Sequence, residues 1–452
     1  MFPIPRSLKR AAVRAVWVSV GLLALSREAT AQTMREVLDG LFIFSEGSSP
    51  LFLSGSAGVP ATEVHGNHFI PAESEANGSL LGFFQNAIAS NIAAFPLSST
   101  VASQTFVFIG GVPSPTSTSF GPIFGERAQT VGRGRFNVGM NYTRVDFRQI
   151  RGTNLSDVEL TFVHENSNFP NCDVIFSGDC SQYGTPQFEH DLIELGLDLD
   201  ITAEIYAFYA SLGIANRVDL SFAIPVVHLG IDGRSEARII PTTGEELLHL
   251  FAGTPEDPVL EASSRSSGEA TGLGDLAVRL KAHFLSSDVL DMAVLGEVRA
   301  PTGRTDDFLG TGETNLRGLL IASGGFGDFS PHLNFGYQLR QGDLSQDAFE
   351  TVVGFDHRLA SWATLAVDVL AMMKVGDDPV TFPEPVEIDG AYTARVEPTN
   401  IRDMPDHIVD GSFGFKFRTQ GGLVIVTNVL VPLNQGGLRP QLVPTFGLEY
   451  SR

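Results

Sequence analysis

Apolar and polar side chains alternate residue by residue along much of the chain, the period of a strand whose two faces meet different surroundings. Ile193, Leu195, Leu197, Leu199, Ile201 and Ala203 alternate with Glu194, Gly196, Asp198, Asp200, Thr202 and Glu204. Leu276, Val278, Leu280, Ala282 and Phe284 alternate with Ala277, Arg279, Lys281 and His283. Leu333, Phe335, Tyr337 and Leu339 alternate with Asn334, Gly336, Gln338 and Arg340, and Val409, Gly411, Phe413, Phe415 and Phe417 with Asp410, Ser412, Gly414, Lys416 and Arg418. The pattern predicts about twelve strands. They start near Phe136, Phe188, Val218, Leu273, Leu290, Leu316, Phe329, Ala348, Ala363, His407, Leu423 and Leu442.

Connection lengths separate the two folds that share this pattern. Long or medium connections lie near 149–187, 231–271, 301–313, 341–346, 375–405 and 434–439. Tight turns lie at Ala215-Asn216, Ser286-Ser287-Asp288, Gly324-Gly325-Phe326-Gly327, Ala360-Ser361 and Gln420-Gly421-Gly422. Every long loop falls at one end of the array and every tight turn at the other. A soluble β-sandwich has no reason to sort its loops, whereas outer-membrane barrels have short periplasmic turns and long external loops. The predicted fold is therefore all-β, a transmembrane antiparallel β-barrel of about 12 strands in the bacterial outer membrane. Tyr142, Tyr206, Phe208, Phe284, Trp362, Phe417 and Tyr450 stand near strand ends, where interfacial aromatic girdles form. In the last strand Gly447 and Tyr450 have the spacing of a barrel insertion signal, with Arg452 in place of the terminal aromatic. The barrel-insertion machinery is thus an expected partner.

The N-terminus reads differently. Residues 1–31 carry Arg6, Lys9, Arg10 and Arg14, an apolar stretch from Ala15 to Leu25, and the exit Ala29-Thr30-Ala31. These are the parts of a cleavable signal peptide, and the apolar stretch is short of the ~18 residues a spanning helix needs. Residues 32–131 form an irregular, partly helical segment, with a short helix expected within Leu80–Ala94 and a short strand at Thr105–Ile109. This segment either plugs the lumen or packs beneath the barrel as a periplasmic extension; its apolar residues need cover and favour the plug. The barrel itself is assigned to 132–452.

Charge narrows the partners. Without residues 1–31 the chain keeps 25 of its 30 basic and 51 of its 52 acidic side chains, a balance that disfavours nucleic acid. The acidic loops, with Glu245, Glu246, Glu256, Asp257, Glu261, Asp377, Asp378, Glu384 and Glu387, suit divalent bridges to lipopolysaccharide or simple solvation. The two cysteines, Cys172 and Cys180, read as a small disulfide loop in an oxidising compartment, with free or metal-bound thiols as the alternative. No cofactor or metal site is expected.

The stretches FGPIFGERAQTVGRGRFNVGMNY (120–142), LGIANRVDLSFAIPVV (212–227), TGLGDLAVRLKAHF (271–284) and RAPTGRTDDFLGTG (299–312) together resemble the outer-membrane family described as "putative meta-pathway of phenol degradation". The resemblance spans roughly residues 80–450, and the family is similar to barrels that admit fatty acids and aromatic hydrocarbons. It implies a channel or transporter whose small-molecule substrate is hydrophobic or aromatic.

Catalytic signatures do not compete. A barrel hydrolase needs a Ser and a His two apart on one strand, and His283-Phe284-Leu285-Ser286 has the wrong spacing. The mature sequence has no G-x-S-x-G elbow, H-E-x-x-H pair or phosphate loop, so an enzyme is not expected. A barrel hydrolase and a non-conducting structural barrel remain the alternatives to a channel. If the polar faces point inward, Arg279, Lys281, Glu297, Arg299, Arg317, His332, Gln338, Arg340, His357, Asp368 and Lys416 line the lumen. Such groups either set the preference of a pore or pair off to fill a narrow barrel.

Overall fold

The computed structural model describes residues 32–44, 69–70, 84–85, 87–89, 106–109, 112–115, 119–164, 192–241, 250–254, 257–341, 346–378, 385–389 and 393–451. The expected signal peptide and both Cys172 and Cys180 lie outside the described residues. No helix among the described residues is long and apolar enough to cross a membrane.

The wall is a closed, twelve-position antiparallel barrel. It begins with β1 (Phe136–Ile150), β2 (Leu192–Ala215) and β3 (Val218–Ile240). β4 (Glu261–Leu273) and β5 (Leu276–Ser286) are consecutive segments of one wall position, and both pair with β3. Then follow β6 (Leu290–Ala300), β7 (Asn315–Gly324), β8 (Phe329–Leu339), β9 (Asp347–Ala360) and β10 (Ala363–Val375). β11 (Ile408–Arg418), β12 (Leu423–Pro432) and β13 (Val443–Ser451) complete the ring. β13 closes it on β1, with Phe446 opposite Tyr142 and Tyr450 opposite Val138. A closed ring leaves no sheet edge, which is what backbone in a bilayer requires.

Most predicted starts fall within a residue or two of the observed ones. The second, expected near Phe188, lies outside the described residues, and β2 is described from Leu192. The fourth, expected near Leu273, departs most: β4 begins at Glu261. Its sequence, EASSRSSGEATGL, is small and polar on both faces and so gives no alternation signal. The break between β4 and β5 is pinned by Asp275. Its carboxylate accepts the N–H groups of Gly303 (3.1 Å) and Thr311 (3.0 Å) from the following loop.

β2 and β3 stand far taller than the rest of the wall, and their outward faces change chemistry partway up. On β2 the outward residues Phe208, Leu212 and Ile214 are exposed and apolar, while Glu194, Asp198 and Asp200 above them are exposed and charged. β3 repeats the change between Phe222 and Ile224 below and Asp232, Arg234, Glu236 and Arg238 above. On β2 the apolar outward stretch runs from Tyr206 to Ile214, nine residues, close to the ~9–11 that a tilted membrane strand needs. Exposed Val278, Leu280, Phe335, Val353, Phe413 and Phe446 continue this belt around the barrel. Only lipid gives such a belt cover.

The girdle aromatics sit at the belt's margins. Tyr142 and Tyr206 contact each other (ring centroids 5.0 Å apart) toward the loop end, and Trp362 and Phe417 (6.0 Å) at the turn end. Above the belt the apolar residues of β2 point inward. Ile193, Leu195, Leu197 and Leu199 join one core with Leu160 and Phe162 of the Val158–His164 strand and with helix α1 (Met34–Gly40). This departs from the expectation that the apolar face of that run meets lipid.

α1 is a short helix whose Met34, Val37, Leu38 and following Leu41 lie on one stripe. It packs where the wall lacks side chains: a Cβ at Gly268 would come within 2.6 Å of Met34 and 2.7 Å of Val37. Ser264 donates a hydrogen bond to the Gly40 carbonyl (2.7 Å), which fixes the helix end. Sequence reading did not place a helix here. Helical residues 84–85 and 87–89 fall within the expected 80–94 helix, and Phe106–Ile109 forms the expected short strand, paired with Val112–Pro115.

Candidate functional site

Residues 119–131 form an arch inside the barrel. Its two feet stand at the turn end and its apex, Phe124-Gly125-Glu126, reaches the middle. At one foot Ser119 donates to Asp356 and the Phe120 N–H to Thr364 Oγ1 (3.0 Å). At the other, Gln129 donates to Asp291 (2.7 Å) and the Val131 N–H to Asp219 (3.0 Å). At the apex the Phe124 N–H donates to Asp368 (3.1 Å) and the Glu126 N–H to Asn334 Oδ1 (2.6 Å). Asn334 returns a bond to the Glu126 carbonyl (2.8 Å). The arch belongs to no sheet, so its buried backbone groups need side-chain partners, and inward polar residues of the wall supply them.

Charge secures the same segment. Arg127, almost wholly buried, is ion-paired with Asp356 and shares Ser119 with it. Asp368 also contacts His332 Nε2 (2.7 Å), which ties the apex to β8 and β10. Gly125 lies against the His332 ring so closely that a Cβ would overlap it. The Glu126 carboxylate lies 3.6 Å from Arg279 and 3.7 Å from Lys281.

Above the arch lies a chamber floored by Phe124 and Glu126. One side is ionic: Glu297 is held by Arg279 (2.5 Å), Arg299 (3.2 Å) and Arg317 (3.5 Å), and Arg317 also reaches Glu350 (2.5 Å). The facing side is mainly apolar, formed by Val145, Phe147, Leu370, Leu430, Leu438 and Val443, and carries the ion pair of Arg439 with Asp410.

Of the residues singled out from sequence, Arg279, Lys281, Glu297, Arg299, His332, Gln338, Asp368 and Lys416 are buried on the inward face. Arg317 and Arg340 are inward and half-buried. Lys416 lies apart from the chamber, paired with Glu449 (3.0 Å). His357 is a correction. It pairs in register with outward Phe329 and contacts that ring at 6.4 Å between centroids, while neighbouring Asp356 points inward. Three polar residues in succession, Asp356-His357-Arg358, interrupt the alternation, so polarity alone could not choose the inward one.

The chamber's ionic side and the barrel wall from β2 to β10 fall within the stretch that comparison of the sequence recognises. Residues 191–380 match the family described as "Putative MetA-pathway of phenol degradation". The match bears out the resemblance over that stretch, which is shorter than the 80–450 read from sequence. No curated protein matches the chain. Among solved structures, an outer membrane channel from Pseudomonas putida F1 is similar at 10% identity, covering 72% of this chain and 97% of that one, with a TM-score of 0.40. A Pseudomonas aeruginosa FadL homologue (10% identity, 72% and 90% coverage) and a TodX monoaromatic hydrocarbon channel mutant (8% identity, 70% and 90% coverage) each have a TM-score of 0.30. The barrel assignment rests on this chain's own strand pairing.

The matched stretch holds every one of the candidates except Lys416 and excludes the arch that closes the site. Glu126 and Arg127 were missed because an irregular segment has no period to read. Glu350, Asp356 and Glu449 lie on inward strand parity, and extending the alternation along β9 and β13 would have found them.

Proposed function

We propose that the protein is an outer-membrane channel through which small hydrophobic or aromatic molecules cross passively, loops to the exterior and turns to the periplasm. The observation that carries this reading is the half-apolar chamber inside a lipid-belted barrel, floored by a segment held through side chains. Arg279, Lys281, Glu297, Arg299, Arg317, His332, Gln338, Arg340 and Asp368 then border the pathway. The 119–131 arch supports reading 32–131 as a plug that must shift for passage. Lipopolysaccharide around the acidic loops and the barrel-insertion machinery are the partners this placement calls for.

The test is uptake of a small aromatic compound into liposomes holding the purified barrel, beside single-channel conductance. Asp368→Ala removes the acceptor of the apex and is expected to raise both. A wild-type barrel and an arch variant that are equally silent in both assays would establish the non-conducting reading.

A further inference from the structure

We propose that Arg340 and Lys374 form an anion-recognition site at the loop end of the chamber, suited to the carboxylate of a small amphipathic acid. The proposal deepens the channel reading and rests on it for its physiological meaning. The neighbouring inward cations have acids: Arg279, Arg299 and Arg317 share Glu297, Lys281 lies near Glu126 and Asp219, and Lys416 meets Glu449. Arg439 meets Asp410 and Arg127 meets Asp356.

Arg340 has no carboxylate within ion-pair distance among the described residues. Its Nη2 donates to Gln338 Oε1 (3.2 Å) and lies 3.4 Å from Met372 Sδ, and its Nε is buried with no hydrogen-bond partner. Asp347 is adjacent, but its carboxylate takes the Arg340 backbone N–H (2.9 Å) and the Tyr337 hydroxyl (2.8 Å).

Lys374 follows Met372 on the inward parity of β10, and its side chain has no ion pair among the described residues either. Gln338 pairs with Ala348 and Ala348 with Lys374 across the wall, and Arg340 reaches Met372, so the two cations are neighbours on the inner face. The acids around them are engaged elsewhere: Glu350 holds Arg317, while Asp378 and Asp406 both hold Arg151. Two neighbouring cations left without acids cost stability, and an anion between them would recover it through charge-assisted hydrogen bonds. Directly below, Met372, Leu370 and Val352 lead down the chamber toward Phe124. A bare inorganic anion would leave that apolar side unused, and a neutral ligand would leave the cations unpaired. An apolar body carrying one carboxylate uses both.

The experiment measures binding of phenylacetate, 2-phenylethanol and acetate to the detergent-solubilised barrel by calorimetry, in the wild type and in Arg340→Gln and Lys374→Gln. Phenylacetate is expected to bind at least about tenfold more tightly than either comparison compound, given the strength of hydrogen bonds to charged groups. Each variant should lose roughly that factor for phenylacetate while 2-phenylethanol is unchanged. Heat-modifiable mobility confirms that each variant is a folded barrel; should one not fold, the other carries the test. Equal binding of phenylacetate and 2-phenylethanol, or of phenylacetate and acetate, overturns the proposal, as does phenylacetate binding indifferent to both variants. Charge-selective binding without any uptake would sink the channel reading and leave the site standing.

Discussion

The interior of the barrel carries two opposite chemistries, one beside the lipid belt and one above it. Beside the lipid belt the barrel interior is polar, with Ser211 on β2, Asp219 and Ser221 on β3, and the Glu297 cluster farther round the wall. Above the belt the inward parity of β2 carries Ile193, Leu195, Leu197 and Leu199 against α1 and the Val158–His164 strand, while the outward face carries charge. The difference follows from the solvent outside. Lipid leaves the polar groups only the interior, whereas water takes the charges and drives the apolar residues in. Alternation therefore fixes parity, and which face is apolar-out depends on how far the strand stands above the bilayer.

The strongest way to probe the polar interior is Glu297→Gln. Glu297 is buried and three arginines converge on it, so the change leaves buried guanidinium charge uncompensated. The expected loss is about 3–5 kcal/mol in urea unfolding from detergent or lipid. A loss below about 1 kcal/mol would mean that water, not Glu297, balances these arginines.

The outward contrast is tested by a matched pair on β2. Leu212→Arg, between the middle and the turn-end margin of the belt, should cost about 2 kcal/mol. Asp198→Leu, on the outward face above the belt, should fall within about 0.5 kcal/mol of wild type. Equal costs at the two positions would erase the boundary placed near Tyr206.

Above the belt the interior is close-packed, and Gly268→Val should force Met34 and Val37 away from the wall. About 1–3 kcal/mol of α1 docking is expected to be lost. Hydrogen exchange of the α1 amides would report it, with heat-modifiable mobility of the barrel unchanged. Unaltered protection would show that α1 does not depend on this close approach.

Strand number, turn positions and most strand starts were legible because a belt between lipid and a polar interior imposes a strict two-residue period. Three features were not. β4 is polar on both faces and has no period, the upper part of β2 has the period with its solvent reversed, and the arch has none. Of the interior charges, those on regular alternation, such as Arg279, Lys281 and Lys416, could be placed on the inward face from sequence. Glu126, which faces Arg279 and Lys281, Arg127, which meets Asp356, and the inward choice among Asp356, His357 and Arg358 required the fold. Nor does alternation say which cation finds an acid: Arg317 and Arg340 read alike, yet among the described residues only Arg317 has one.

The smallest expected effect concerns pH and separates α1 from the barrel beneath it. Burial pushes the Asp39 carboxyl above its ordinary value, against the pull of Arg35 and with a further push from Glu36, while a hydrogen bond from Gln85 (3.2 Å) pulls it down. A carboxyl that is less acidic when docked takes up a proton on docking. Its contribution is therefore fully present below the unfolded carboxylate value of about 4 and is lost as pH rises through the docked value. Protection of the α1 amides, corrected for intrinsic exchange, should fall as pH rises from about 4 to 7, while that of the belt strands changes less. Asp39→Asn cannot titrate, so its protection should stay flat over the same window and equal or exceed wild type at neutral pH. A slope that survives Asp39→Asn would move the pH dependence to another group. A slope that vanishes in α1 while the belt strands stay unaffected would show that the two parts of the interior open independently, as their opposite chemistries imply.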